Sequence, residues 1–220
     1  MNKDWSELQK LVKSFLNRRD TFDEGIAKLI ELRNVLFEEI TRIFKEVPID
    51  YFSMQPFVNS KGYECKTIAY SMYHIFRIED IVMNTLINND TQIFFKNDYK
   101  NKLNSPIITT GNELEKEEIA LFSKQLNISQ LYNYIKEVYE HSNNCIKSLK
   151  LIDFKRKFID PDRNRIVDTN SVEESEHYLI YYWCGNGIKE LLCMPFSRHW
   201  IMHIEASLRI INRLNKSLSK

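Results

Sequence analysis

The segment TFDEGIAKLIELRNVLFEEITRIFKEVP places Phe22, Ile26, Leu29, Leu36, Ile40 and Ile43 mostly three or four residues apart, with one gap around Arg33. That is the period of an amphipathic helix. A chain built from several such runs can bury its apolar stripes only by packing helix against helix. Thr21 followed three residues later by Glu24 has the pattern of a capping box. Pro48 ends the run, because proline cannot continue the backbone ladder.

Other segments repeat the pattern. A shorter helix is expected over Lys3–Leu16. Residues 63–88 form the second long helix, with Ile68, Met72, Ile75, Ile78, Val82 and Leu86 on its packed side. After a loop, residues 110–126 read as helical. A third long helix begins at Asn127, where Asn127 and Gln130 imitate a capping box. Along it, Leu131, Ile135, Val138, Ser142, Cys145 and Leu149 alternate steps of four and three, the spacing of a bundle seam. In FKRKFIDPDRNRIVDTN, an Asp-Pro-Asp-Arg-Asn turn is expected between two short β-leaning pieces. Ser171 and Glu174 cap the segment that carries YLIYYWC, an aromatic cluster expected to be core and interface surface. Gly185 and Gly187 interrupt it, and Pro195 suits the first turn of a last helix ending near Asn215. Glycine and proline number only five each, which agrees with long helices and few turns. The expectation is an all-α fold: one domain over residues 1–220, a four-helix bundle with extra short helices and connectors.

Charge narrows the function classes. Thirty-one Lys and Arg balance thirty Asp and Glu. Without a basic stripe, neither nucleic acid nor an anionic membrane is an expected partner. The N-terminal MNKDWSELQKLVKSF lacks the apolar run of a signal peptide. Cys65, Cys145, Cys184 and Cys193 show no CxxC spacing. A cytoplasmic protein with reduced thiols is expected.

The chemistry-bearing feature is SRHWIMHIEASLRI, in which His199 and His203 stand four residues apart on one helical face. Two imidazoles so placed reach one ion at metal–nitrogen distances near 2.0–2.1 Å. Trp200 follows His199, so the built-in Glu of an HExxH site is missing. A third ligand must come from elsewhere. His74 lies mid-helix in AYSMYHIFRIEDIV. His177 reads as a solvated residue near a helix start, and His141 as a boundary residue or spare ligand.

AYSMYHIFRIEDIV resembles the second-helix motif of the DinB-like (YfiT-like) four-helix-bundle superfamily, the damage-inducible family and not the polymerase that shares its label. MPFSRHWIMHIEASLRI resembles that superfamily's last-helix HxxxH motif. The resemblance implies a bundle in which His74, His199 and His203 bind one divalent ion: Zn, Ni, Fe or Mn. It also implies a metal-dependent enzyme, a hydrolase or a low-molecular-weight-thiol transferase, acting on a small molecule. A binding or interaction bundle without turnover is the alternative, and a homodimer stays open. Many members carry Gln two residues after the last His, where this chain has Glu205. Residues 155–193 run longer than a minimal member needs.

No catalytic base is placed by the motif. Glu79 is about 140° around the helix from His74, and Glu205 about 200° from His203, so both read as structural or solvent-facing carboxylates. Tyr70 and Arg77, one turn either side of His74, are the candidates for supporting a ligand or touching substrate.

Overall fold

Each long periodic run is helical in a computed structural model, which describes residues 2–58 and 65–218. Helix α1 spans Lys3–Leu16, its first turn capped by the Asn2 side chain, which accepts from the Asp4 and Trp5 amides. Helix α2 spans Phe22–Glu46. Thr21 does not cap it. Its hydroxyl instead donates to the Phe15 carbonyl at 2.9 Å, so the polar group that a capping box would use ties down the α1–α2 turn. Gly25 allows the two helices to cross closely: a Cβ there would sit 2.6 Å from Leu16 Cδ2 and 3.0 Å from the Leu16 backbone nitrogen.

Helix α3 covers Ile68–Asp80 and continues as a π-helical stretch, Ile81–Asn88. Thr67 caps it by accepting from the Tyr70 amide, and Asn89, at φ 54°, closes it in the left-handed conformation that Asn tolerates. The start expected near Tyr63 lies outside the described residues. After it come α4 (Ile93–Lys96), α5 (Tyr99–Lys102), α6 (Glu117–Gln125) and α7 (Ile128–Ser148). The helix expected over 110–126 is shorter than its sequence period. Gly111 at φ 78° and Lys116 at φ 45° leave the helical region and hold the first half as a loop.

The connector between α7 and the last helix corrects another expectation. The Asp-Pro-Asp-Arg-Asn stretch is not a turn between β-leaning pieces. It opens helix α8, Asp160–Asp168. Proline is tolerated in a first helical turn, and Asp160 and Asp162 favour the positive end of the helix dipole. Asp162 also accepts from the Ile159 amide at 2.8 Å. Then follow α9 (Tyr178–Gly185), α10 (Ile188–Cys193), a π-helical step Met194–Arg198 that contains Pro195, and α11 (His199–Leu218). Among the described residues, all helix and no strand is present.

Helices α7 and α11 each pack against both α2 and α3, which closes a ring of four. Helix α1 lies along α2 and meets α10. Every residue of α3 is buried, not only its apolar stripe. The short helices explain this: α4 and α6 cover its outer side, and α8 covers its π-helical extension.

The gap at Arg33 in the α2 stripe has a structural cause. Arg33 is fully buried and donates to Glu79 of α3 at 2.8 and 3.0 Å, to Asn143 of α7 at 2.6 Å and to the Phe196 carbonyl at 2.9 Å. Trp200 of α11 donates its indole N–H to the same Glu79 at 2.9 Å and lies under the guanidinium, 4.4 Å away. One buried ion pair thus joins all four helices of the ring.

Candidate metal centre

His74 sits in the middle of the buried α3, and its neighbours on that helix build its socket. Tyr73 donates its hydroxyl to the Thr109 and Ile107 carbonyls at 3.1 and 3.3 Å. Arg77 donates to the Ile108 carbonyl at 2.6 Å. These contacts hold the loop before Gly111 against α3, so that the Thr110 carbonyl lies 2.9 Å from His74 Nδ1. A carbonyl can only accept, so Nδ1 carries the hydrogen and Nε2 presents a bare lone pair. A ligating histidine held through its other ring nitrogen is the usual way a metal site fixes tautomer and ring orientation.

Helix α11 brings the other two rings. The π-helical step Met194–Arg198 runs directly into it, and on it His199 and His203 face His74 while Trp200 reaches Glu79. The ring centroids are 4.9 Å apart for His74 and His199, 4.8 Å for His74 and His203, and 4.7 Å for His199 and His203. His74 Nε2 and His199 Nε2 are 3.2 Å apart. Two ligands each about 2.0–2.1 Å from a tetrahedral ion stand roughly 3.3–3.4 Å from each other. The three rings offer ligand atoms within 4.8 Å of one another.

Electrostatics favours the same use. Burial pushes His74 down to about 4. His199 and His203 lie well below the usual imidazole range, by burial first and then by repulsion from neighbouring histidines and Lys66. All three rings are neutral at pH 7, with lone pairs to give. His203 Nδ1 is buried with no hydrogen-bond partner, an arrangement that costs about 1–3 kcal/mol in a protein interior. The donor set fits a divalent ion of the borderline class. His199 keeps partial exposure, so the cluster is open on one side.

This burial has a pH consequence. The unfolded chain takes up protons on its histidines below about 6.5, whereas native His74 stays neutral until about pH 4. The unfolded state therefore binds more protons across that window, and stability falls as pH drops through it. We expect denaturant unfolding of the metal-free protein to show a loss of about 2 kcal/mol between pH 7 and pH 5 from His74 alone. A flat profile over that range contradicts the buried neutral cluster.

The structure places the remaining candidates as follows. The Tyr70 ring lies over His74, nearly parallel, with centroids 5.5 Å apart. It also lines a surface pocket of about 530 Å³ with Lys66, Leu114 and Lys116. Arg77 is fully buried and bonded to Gln92, Asp80, Tyr134 and the Ile108 carbonyl. Through the Ile108 carbonyl it holds the loop that carries Thr110, the partner of His74. Glu79 is the partner of Arg33, and Glu205 accepts from the Asn2 backbone amide. His141 lies against Cys145, and His177 is partly exposed just before α9. In the aromatic cluster Trp183 is buried, while Tyr178, Tyr181 and Tyr182 are exposed.

Three features of the site had not been singled out from sequence. The Thr110 carbonyl has no sequence signature, since every residue has one. Lys66 acts on all three rings from the start of α3. Glu113, bonded to the Thr109 hydroxyl, acts on Tyr70, and its Oε2 is buried with no hydrogen-bond partner. Its position two residues past Gly111, in a loop read as helix, concealed it. No family model, no curated protein and no solved structure matches this chain.

Proposed function

We propose that the chain is a metal-dependent enzyme with a DinB-like four-helix bundle, acting on a small molecule through His74, His199 and His203. The observation that carries this reading is the convergence of three neutral imidazoles from two helices, one of them pinned by a backbone carbonyl. Three protein ligands are the number found in catalytic zinc sites, which leave a further position for water or substrate. A divalent ion held there would lower the pKa of a bound water or thiol toward neutrality.

The chain's own residues supply the rest. Thr110 orients His74, and Tyr70 shields one face of that ring. The pocket lined by Lys66, Tyr70 and Lys116 has room for a small molecule. Hydrolysis, or transfer of a group to a low-molecular-weight thiol, is the chemistry we assign, with Zn, Ni, Fe or Mn as the ion. No helix among the described residues is long and apolar enough to cross a membrane, and we place the protein in the reducing cytoplasm.

The test is metal analysis of protein purified without a histidine tag, followed by cobalt substitution. We expect about one divalent ion per chain. We also expect a cobalt spectrum that changes when a small thiol or anion takes the open position. Protein that neither carries nor rebinds an ion would refute the metal centre. A cobalt spectrum indifferent to every added ligand would refute the enzymatic reading and leave a binding protein.

A further inference from the structure

A second cluster of reactive side chains lies near the C-terminal end of α7, separate from the three histidines. His141 and Cys145 are four residues apart and share a helical face. Cys145 Sγ is 3.4 Å from His141 Nε2. Asn88, the last residue of the π-helical extension of α3, donates its side-chain N–H to the same sulfur at 3.2 Å. The sulfur therefore meets an imidazole and an amide donor from two different elements. Cys145 and His141 are both half-buried and Asn88 is exposed, so a small molecule can reach the group.

We propose that Cys145, His141 and Asn88 form a reactive-thiolate site that exchanges with small disulfides to give a mixed disulfide on Cys145. His141 Nε2 takes the thiol proton, and the resulting imidazolium and the Asn88 amide face the negative sulfur. The thiolate attacks one sulfur of a disulfide R–S–S–R. The S–S bond breaks as the Cys145–S–S–R bond forms. The departing thiolate takes the proton from His141 and leaves as R–SH. Cys145 is oxidised and the released sulfur reduced, so the disulfide is the only co-reactant.

The charges around the sulfur support this and set its limits. Burial alone would raise the Cys145 thiol, but the hydrogen bonds from His141 and Asn88 outweigh it and the net direction is down. His141 moves up, chiefly through its bond to the sulfur. Asp90 works against the thiolate, and together with Asp80 it supports the imidazolium. An uncharged disulfide therefore suits the site better than an anionic one. The other thiols lack this setting. Burial raises Cys184 and pushes Cys193 up to about 11, and Cys65 is buried.

The test treats the full-length protein with iodoacetamide over a range of pH, and separately with bis(2-hydroxyethyl) disulfide at pH 6.5, and locates the label by peptide mass spectrometry. We expect Cys145 to be labelled first by both reagents. Its alkylation midpoint should lie below the roughly 8.5 of a free thiol. His141→Gln should return the midpoint to the free-thiol range and slow alkylation at pH 6.5 about tenfold, with Asn88→Ala in between. Asn88 is exposed, so that variant carries the comparison if His141→Gln loses helical signal. A midpoint at or above the free-thiol range, first labelling at another cysteine, rates unchanged in both variants, or no mixed disulfide on Cys145 would each overturn the proposal.

Discussion

Replacing Glu79 with alanine lowers the stability of the protein by about 3–5 kcal/mol, the usual cost of removing one partner from a buried ion pair. Arg33 and Glu79 are both fully buried, and the guanidinium is held on the carboxylate by two bonds of 2.8 and 3.0 Å. Without Glu79 the guanidinium is left as an uncompensated charge in the core, and the Trp200 indole N–H loses its acceptor. For a chain of this size the loss corresponds to a melting temperature lower by roughly 6–20 °C. Exchanging both residues for leucine should not restore the wild-type value. Asn143 and the Phe196 carbonyl, which Arg33 now satisfies, would be left without that partner. Thermal unfolding followed by circular dichroism measures both effects. A Glu79→Ala protein within about 1 kcal/mol of wild type would show that the pair is not the junction described above.

The second large effect concerns the ion. His203→Ala removes one of the three proposed ligands and should weaken metal binding by more than about 100-fold, since losing even a residue that only supports a ligand costs 10–100-fold. The helical content should stay intact. The ring of four helices has its own continuous core, and a chain of this length needs no metal staple. Compared without metal, the variant should be within about 1 kcal/mol of wild type, because the substitution also removes the unpaired His203 Nδ1. With metal present the wild type should gain melting temperature and the variant should not, since a ligand bound only to the native state stabilises it by mass action. Titration with a divalent ion, together with circular dichroism of both proteins with and without chelator, reads all three quantities. Loss of the helical signal of wild type on chelation would instead make the ion a structural staple.

The residues differ in how openly the sequence displays them. The helices of the ring were legible because their apolar residues repeat locally, as in Leu29, Leu36, Ile40 and Ile43 of α2 or Leu131, Ile135 and Val138 of α7. The His199/His203 pair was legible for the same reason, since a spacing of four residues puts both on one face. The pairing of His141 with Cys145 was equally local, yet the thiol's second partner, Asn88, belongs to another helix. Residues 154–170 misled because a proline between two aspartates opens a helix as readily as it makes a turn. The packing of α8 against α9 and the π-helical extension of α3 decided between the two.

By itself the sequence determined the helix periods, the near-zero net charge and the pair of histidines on the last helix, because each depends only on residue types and their spacing along one element. It marked Arg33 as an interruption without saying what the interruption was for. The tertiary structure alone decided that Arg33 meets Glu79, that every face of α3 is covered, and that the Thr110 carbonyl fixes the tautomer of His74. It also placed Arg77, which shares a face with His74, as a brace for the loop that carries Thr110. The physical reason is the same in each case. Partners far apart in the chain are chosen by packing geometry and by the cost of leaving a buried polar group unpaired, and neither leaves a local pattern.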